Sequence, residues 1–270
     1  MGPPVITFLS DYGVEDDFVG LCHAVIASIC PQARVIDLSH GVARHDVRAG
    51  AIMLRGALPY LPVGVHLAVV DPDVGAERRA VALRVADDRL LVGPDNGLLS
   101  LAAGLAGGVV ESVDIAHSKF RLEPVSATFH GRDIFAPVAA HLAAGVPLAE
   151  TGEPGDPDPL VRLELPQPEL RDGALVAHAV YVDRFGNVQL DVEHDVLVGS
   201  GLKLGHRVQI DLGARGSRQA KYARTFAEVG DGELLVYEDA YRRLALAVRH
   251  GDAAARLGLG IDDELRITPA

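Results

Sequence analysis

The first half of the chain alternates between strand-like and helix-like patterns of hydrophobic residues. An apolar run at 4–10 ends in Asp-Tyr-Gly, and apolar side chains then recur at helical spacing through 16–30. The same order repeats at 34–38 and 46–58, and residues 65–70 are apolar on both faces, as buried parallel strands are. Further strands are predicted at 80–85, 89–92 and 109–115, and further helices at 98–105 and 132–145. The pattern predicts an α/β, sandwich-like domain with a mostly parallel sheet.

A proline-rich segment at 150–168 interrupts this pattern, because proline fits neither a helix interior nor a central strand. Beyond it the chain carries short β-type runs separated by turn residues, which is typical of a small barrel. These runs lie at 174–182, 188–192, 207–212, 233–237, 244–248 and 264–267. We therefore predict two domains, an N-terminal α/β domain at 1–165 and a smaller antiparallel β-barrel domain at 166–270.

Charge limits the partners that the chain can bind. Its 270 residues include 25 Lys and Arg against 37 Asp and Glu, a formal net charge of -12. Such a surface repels nucleic-acid phosphates and anionic membranes, so we expect neither as a partner. A hydrophobic share of 49% with 23% charged residues is typical of a globular protein rather than a disordered one.

The cysteines and the first residues indicate the cellular compartment. Cys22 and Cys30 are the only cysteines, too few for a disulfide framework or a zinc cluster. The N-terminus lacks a basic region and a small-residue cleavage site, and no stretch reaches about 18 apolar residues. We expect a soluble, cytoplasmic protein.

Common cofactor and metal motifs are missing from the sequence. Neither a Walker A motif nor Gly-x-Gly-x-x-Gly follows a predicted strand, and neither His-x-x-x-His nor Cys-x-x-Cys occurs. We therefore predict no metal site and no nucleotide cofactor.

Polar residues instead follow the predicted strands, where open α/β sheets bind ligands. Asp11 follows the first strand and could accept hydrogen bonds from a ribose diol, or serve only as a turn carboxylate. Asp71 follows the most apolar strand, and a tight loop with Pro and Gly could bring Arg78 back to it. This Asp-Arg pair could be functional or only structural. His130 lies in a Gly-containing loop before a helix, where an exposed histidine is the alternative.

The β half has one comparable segment. Asp183, Phe185 and Asn187 interrupt a β-type run, and an aromatic between two polar side chains could clamp a flat base. A hairpin turn would look much the same. Phe226 by itself is more typical of a core residue.

Five segments taken together resemble the S-adenosyl-L-methionine (SAM) hydroxide adenosyltransferases, the family that includes the fluorinases and chlorinases. The segments are FLSDYG at 8–13 with Asp16-Asp17, VDPDVG at 70–75 with Glu77-Arg78-Arg79, GPDNGLL at 93–99, TFHGRD at 128–133 and DRFGN at 183–187. The resemblance implies an α/β domain, a β-barrel domain, and a homotrimer with active sites between the N-domain of one subunit and the C-domain of the next. It also implies hydrolysis of SAM to adenosine and L-methionine by attack of water or hydroxide on the 5′ carbon, with no cofactor.

The same resemblance assigns roles to individual residues. The catalytic set falls on Asp71, Arg78 and His130. The implied substrate contacts are Asp11 to the ribose diol, Phe185 and Phe226 to the adenosine rings, Asn187 to the adenine edge, Asp183 to the methionine amino group, and Thr128. Halogenating members carry tyrosine at the position of Asp71, so Asp71 favours water over halide. The segment 240–244 departs from the family pattern near the methionine end, where Arg242 or Arg243 could bind the carboxylate.

Two other functions remain open. Asp11, Asp71, Asp73 and Asp95 could gather around a divalent ion in a phosphohydrolase, because carboxylates are the oxygen ligands such ions take. The chain could also be a nucleoside-binding module without turnover. Fold resemblance alone does not decide between them.

Overall fold

The computed structural model describes residues 2–157 and 160–270, so Asp158 and Pro159 of the predicted linker lie outside the described residues. Contacts between residues divide the chain into two units, Met1–Leu163 and Glu164–Ala270. Each unit has a hydrophobic core of its own.

The first unit contains a mixed sheet, which has seven strands in the described residues. These are β1 (Val5–Ser10), β2 (Arg34–Ser39), β3 (Val65–Val69), β4 (Ala80–Val85), β5 (Leu90–Pro94), β6 (Val109–Asp114) and β7 (Glu153–Gly155). They lie in the order β2-β1-β3-β5-β4-β6-β7. The four strands from β2 to β5 pair in parallel, and β4, β6 and β7 extend the sheet by antiparallel pairing. The parallel strands form the core of this sheet.

Helices cover the sheet in pairs. They are α1 (Phe18–Ile29), α2 (Val47–Ala57), α3 (Ser100–Leu105) and α4 (Ala136–Ala143), with a π-helical turn at Gly131–Phe135 before α4 and 3-10 turns at Leu58–Tyr60 and Leu148–Glu150. Helix α1 packs against α4, and α2 packs against α3. Asp46 caps α2 by accepting a hydrogen bond from the Ala49 backbone N–H at 2.8 Å, so the sequence itself marks where this helix begins.

The parallel strands deliver polar residues to one edge of the sheet. Strands β1 and β3 end at Ser10 and Val69, and Asp11 and Asp71 follow them. The neighbouring β5 leads into Asn96, whose Nδ2 donates to the Val70 carbonyl at 2.8 Å. This bond holds the chain just ahead of Asp71. Asp11 and Asp71 thus lie at the edge of the sheet where open α/β folds bind ligands.

The second unit is a β-barrel. Its described strands are β8 (Glu169–Arg171), β9 (Ala174–Val182), β10 (Val188–Glu193), β11 (Arg207–Asp211), β12 (Ser217–Tyr222), β13 (Leu234–Glu238), β14 (Arg243–Val248) and β15 (Glu264–Pro269). Seven of these close a ring in the order β9-β10-β14-β13-β12-β11-β15, and β8 pairs with β9 outside it. Neighbours in the ring are antiparallel except β12 and β13, which are parallel. Short turns complete the unit: α5 (His194–Gly199), α6 (Ala253–Leu257), and 3-10 turns at Gly213–Arg215 and Phe226–Glu228.

The predicted fold class is confirmed, and the errors concern short elements. The pattern missed β12, because in SRQAKY only Ala220 is buried and there is no apolar alternation. It also missed the single-turn helices α5 and α6, which are too short to show a helical period. The predicted helix at 132–145 begins as the π-helical turn. Among the described residues, no helix is both long and apolar enough to cross a membrane.

A glycine fixes the hairpin loop between β9 and β10. Gly186 has φ +77°, and a Cβ there would lie 2.2 Å from Asp252 Cγ. Asp252 is committed to capping α6 through the Ala255 N–H at 2.8 Å, and Gly186 O accepts from Ala253 N at 3.0 Å. The loop therefore sits directly on the first turn of α6.

We expect Gly186→Ala to destabilise the protein more than Gly173→Ala does. Both glycines have positive φ, +77° and +74°, but the space beside Gly173 is open. The backbone conformation costs about 1–2 kcal/mol in each variant, and the contact with Asp252 adds about 1–3 kcal/mol at position 186 alone. Urea unfolding of the full chain measures the difference, and equal losses in the two variants would contradict the close packing on α6.

Candidate active site

A buried arginine joins an aspartate and a histidine beyond the carboxyl end of β3. Arg78 Nε donates to Asp71 Oδ1 at 2.9 Å, and Arg78 Nη2 donates to Asp71 Oδ2. The same Nη2 donates to His130 Nδ1 at 2.9 Å. The side chains of Arg78 and Asp71 are only 10% and 6% exposed, and the Phe135 ring lies 5.2 Å from the guanidinium. Arg78 therefore fixes the positions of both neighbours at once.

The loop 71–78 turns sharply enough to bring Arg78 back to Asp71. The Val74 and Ala76 backbone N–H groups donate to the carbonyls of Asp71 and Asp73, at 3.3 and 3.0 Å. Gly75 has φ +85°, and a Cβ there would lie 2.5 Å from the Ala127 carbonyl oxygen. Only glycine lets this loop approach the chain that carries His130 so closely.

A buried carboxylate shapes the segment before His130. Asp133 Oδ2 accepts the Ser126 backbone N–H at 2.8 Å, and Asp133 Oδ1 accepts Arg132 Nε at 2.6 Å. Burial alone would raise the pKa of Asp133, but these hydrogen bonds hold it below its usual value. His130 then enters the π-helical turn, a geometry often found at functional sites.

His130 is held as a neutral imidazole. A guanidinium can only donate, so Nδ1 accepts from Arg78 and the proton of the neutral ring is on Nε2. Burial lowers the pKa of His130 below its usual 6.5, and the charge of Arg78 lowers it further. Asp71, Asp133 and a hydrogen bond to the Ser126 backbone raise the pKa of His130, and burial and Arg78 outweigh them. At neutral pH this ring can orient a partner without carrying charge.

These residues border a cleft of about 420 Å³ in the first unit. Of the predicted site residues, Asp11, Asp71, Thr128 and His130 line it, and Arg78 lies behind Asp71 and His130. The other lining residues are Tyr12, Asp16, Phe18, Arg44, His45, Val74 and Gly131. The structure thus brings together the candidates that the sequence placed after β1, after β3 and before α4.

Asp11 also has a structural contact. Its Oδ2 accepts the His45 backbone N–H at 2.9 Å, and His45 itself has φ +65°. Among the described residues Oδ1 has no such donor, so one oxygen stays available to a ligand. Arg44 and His45 were not predicted from the sequence, because β2 ends at Ser39 and neither residue directly follows it.

The four carboxylates of the metal-dependent alternative do not form one cluster. Asp71 is paired with Arg78. Asp95 accepts Arg79 Nε at 2.8 Å and the Val161 N–H at 2.9 Å, and it lines a separate cavity of about 300 Å³. Asp71 and Asp95 are each paired with an arginine and line different cavities, so the geometry does not favour one divalent ion held by all four carboxylates.

In the second unit, Asp183 organises the loop that carries Phe185 and Asn187. Asp183 Oδ1 accepts the backbone N–H groups of Phe185 and Asn187 at 2.8 and 2.9 Å, and Oδ2 accepts Asn187 Nδ2 at 2.8 Å. Because its Nδ2 is committed to Asp183, Asn187 presents its amide oxygen as an acceptor. The Phe185 side chain is 71% exposed, unusual for so large an aromatic.

Phe226 belongs to a small aromatic group near this loop. Its ring, 40% exposed, lies 5.1 Å from that of Tyr237. Burial raises the pKa of Tyr237, and the nearby charges of Asp183 and Asp239 raise it further, so the phenol stays protonated. Tyr237 was not predicted as a site residue, because a tyrosine within the β-type run at 233–237 is typical of an ordinary strand.

The loop between β13 and β14 repeats the pattern of the Asp183 loop. Asp239 Oδ1 accepts the N–H groups of Tyr241 and Arg243 at 2.8 and 2.9 Å, and Arg242 has φ +61° where the other loop has glycine. Gln189 Nε2 donates to Asp239 Oδ2 at 2.6 Å. Of the two predicted carboxylate partners, Arg243 is buried and bonded to Glu193 at 3.1 Å, whereas the Arg242 side chain is 65% exposed.

Comparison with known proteins finds a match to one family in each of the two units. Residues 6–152 match the model of the SAM hydroxide adenosyltransferase N-terminal domain, and residues 177–266 match that of the C-terminal domain. The chain belongs to the SAM hydroxide adenosyltransferase family. The family predicted from the sequence motifs is thereby confirmed.

Individual relatives of this adenosyltransferase cover nearly all of both chains. A protein of Salinispora tropica named (R)-S-adenosyl-L-methionine hydrolase is 48% identical over 265 residues, 98% of each chain. A fluorinase of Nocardia brasiliensis is 30% identical, with 90% of each chain covered. The crystal structure of an uncharacterized conserved protein from Thermotoga maritima is 36% identical with a TM-score of 0.91, covering 97% of this chain and 99% of that one.

We expect His130 of this adenosyltransferase to titrate below pH 6.5 in NMR spectra of its ring protons. Because the native state resists protonation, His130 contributes stability that is lost as the pH falls from 6.5 through the lowered native pKa. Arg78→Met removes a nearby positive charge and should raise the pKa of His130, while burial keeps part of the shift.

Arg84→Met is the control, because Arg84 forms a half-exposed pair with Glu111 and is not among the groups that shift the pKa of His130. It should leave the His130 titration unchanged. A pKa of 6.5 or above in the parent protein, or none of the expected rise in Arg78→Met, would show that the guanidinium does not control this imidazole.

Proposed function

We propose that the protein hydrolyses SAM to adenosine and L-methionine by attack of water on the 5′ carbon. The observation that carries this proposal is the Asp71–Arg78–His130 cluster at the wall of a cleft that also presents Asp11. The Salinispora tropica relative, 48% identical, is named for hydrolysis of this substrate. No cofactor enters the proposal, because SAM is itself the substrate.

The reaction is a displacement at carbon. The water oxygen forms a bond to C5′ while the bond from C5′ to sulfur breaks, and its electron pair stays on sulfur as the neutral thioether of methionine. The water proton leaves through the protein to solvent. A sulfonium is a good leaving group, and its positive charge attracts an electron-rich oxygen more strongly in a dry site. The protein's task is to place the water in line with the C5′–S bond.

The three residues divide this task by their protonation states. Asp71 is the acceptor for the water proton, because each carboxylate oxygen has two lone pairs and Oδ1 uses one of them for Arg78 Nε, whereas the single lone pair of His130 Nδ1 is occupied by Arg78. His130 orients the water, and Arg78 keeps both groups in place and stabilises developing hydroxide. Proton transfer by a positioned side chain contributes about 10²- to 10⁴-fold to rates of this kind.

Substrate contacts come from both units. Asp11 Oδ1 accepts a ribose hydroxyl hydrogen in this proposal. Phe185 and Phe226 stack against the adenosine, and the Asn187 amide oxygen accepts from the exocyclic amino group of adenine, because Asn187 Nδ2 is held by Asp183. Asp183 attracts the methionine amino group.

Two further features follow from the same assignment. A carboxylate at position 71 repels halide ions, so water is the preferred nucleophile.

We also infer a reducing, cytoplasmic location, with which the buried free thiols of Cys22 and Cys30 are consistent.

We expect incubation with SAM in ¹⁸O-labelled water to yield adenosine labelled at the 5′ oxygen and unlabelled methionine. Asp71→Asn should slow single-turnover hydrolysis by about 10²- to 10⁴-fold, because it removes the proton acceptor, while adenosine binding changes little. Liquid chromatography with mass detection measures both products. Adenosine binding without product would instead favour a nucleoside-binding module, whereas adenosine formed without label would contradict water as the nucleophile.

Asp73→Asn is the matched control for this variant. It removes the same charge two residues away, at an exposed position outside the hydrogen-bonded cluster, and should leave hydrolysis near the parent rate. Thermal unfolding of both variants separates loss of fold from loss of chemistry. Equal losses in the two variants would favour a shared metal-binding role for these carboxylates.

We infer that the active form is a homotrimer, in which the cleft of one subunit and the barrel of a neighbour hold one substrate. Exposed Phe185 and Phe226 support an interface role for this part of the barrel, because large exposed aromatics are enriched where surfaces become buried. Cyclic assembly would place the same contact at each of the three junctions.

Subunit mixing tests this inference. Asp71→Asn damages only the cleft and Asn187→Ala only the barrel, so each variant alone should be nearly inactive. Co-expression at equal levels should restore roughly one site in four, since each shared site draws its two parts independently from two chains. Full inactivity of a verified mixed trimer would show that each site is built from a single chain.

A further inference from the structure

Three side chains outside the cleft converge on one oxygen atom. His23 Nε2 lies 2.8 Å from Asp37 Oδ1, and His40 Nε2 lies 3.0 Å from the same oxygen. Their nearest ligand atoms all lie within 4.8 Å of one another. Among the described residues, His23, Asp37 and His40 are the one group of three or more His, Cys, Asp or Glu side chains whose ligand atoms lie this close together.

The geometry at His40 is not that of an ordinary ion pair. His40 is 7% exposed, and its Nε2 is buried without a hydrogen-bond partner although Asp37 Oδ1 is 3.0 Å away. A hydrogen bond needs its proton close to the line between the two atoms. A metal ion bound by both atoms at about 2.0–2.2 Å lies off that line, so an Nε2 atom close to Asp37 but without a hydrogen bond is compatible with metal coordination.

We propose that His23, Asp37 and His40 form a binding site for a transition metal ion of the zinc class. Two imidazoles and a carboxylate suit such ions, and three protein ligands leave a fourth position for water. The side chains of His23 and Asp37 are 35% and 42% exposed, so an ion can reach the site from solvent. Tetrahedral ligand atoms are about 3.3 Å apart, so each imidazole nitrogen needs to move only a few tenths of an ångström away from Asp37 Oδ1, from 2.8 and 3.0 Å.

The surroundings hold the two imidazoles in place. His40 Nδ1 is 2.7 Å from Ser10 Oγ, so one ring nitrogen is fixed by a neighbour and Nε2 is directed at the ion, as second-shell partners of metal-binding histidines do. The Phe8 ring contacts both, with centroids 4.7 Å from His40 and 6.2 Å from His23. Gly13 N also donates to the His40 carbonyl at 2.8 Å, which links the site to the loop that carries Asp11.

Sequence spacing conceals this site, because its ligands come from different elements. His23 lies in α1, Asp37 in β2, and His40 in the loop beyond that strand. None of the three lines the cleft or contacts Asp71, Arg78 or His130. The proposal therefore stands or falls independently of the proposed function.

The test is titration of zinc chloride into the full-length protein, freed of any histidine tag and stripped with a chelator that is then removed. Calorimetry should show one ion bound per chain, and cobalt should give the visible absorption of a low-symmetry site. His23→Gln and Asp37→Asn, both at partly exposed positions, should weaken zinc binding at least about tenfold. His194→Gln is the control, because His194 is equally exposed and pairs with one carboxylate, Glu238, at 2.9 Å.

We expect the parent protein and His194→Gln to bind one zinc ion per chain, and His23→Gln and Asp37→Asn to bind zinc much more weakly. Circular dichroism should show that these variants are folded. Zinc should also raise the unfolding temperature of the parent but not that of His23→Gln. Absence of stoichiometric binding to the folded parent protein overturns the proposal. Binding that is unchanged in His23→Gln and Asp37→Asn overturns it equally.

Discussion

The site depends on one guanidinium that is nearly removed from water. A buried cation is tolerated only when its donors are matched by acceptors, and Arg78 meets this condition with the Asp71 carboxylate and the His130 ring nitrogen. Asp71 is brought to Arg78 by the tight loop between them, whereas His130 lies 52 residues further along the chain and reaches Arg78 only in the folded domain. Fold and chemistry are therefore coupled, because loosening either loop would leave a charge buried without compensation.

The two units contribute different kinds of interaction. The first supplies charged and titratable groups at the end of a parallel sheet, whereas the second supplies exposed aromatic rings and an amide held in one orientation. A cationic substrate suits an acidic protein, whose net charge of -12 favours the approach of positive ligands. Specificity for a nucleoside would come from the rings and the amide, which carry no charge.

The sequence predicts those features that depend on local order along the chain. Long apolar runs gave the parallel strands, and the residues that follow them gave Asp11 and Asp71. It could not show that the Nδ1 atom of His130 faces Arg78, because this depends on Asp133 folding the preceding loop. Tyr237 and the strand at 217–222 were missed for a related reason, since their environments are set by neighbours in the barrel rather than by periodicity.

In the two barrel loops that begin at Asp183 and Asp239, the residues that form the turn are different from the residues exposed at its tip. In each, a carboxylate holds the backbone N–H groups two and four residues later, and a positive φ closes the turn. The side chains of Phe185 and Tyr241 take no part in these bonds and point outward, 71% and 54% exposed. Substitutions at these tips can therefore change the exposed surface one residue at a time without disturbing the turns, because the aspartates and the positive-φ residues that form the turns stay in place.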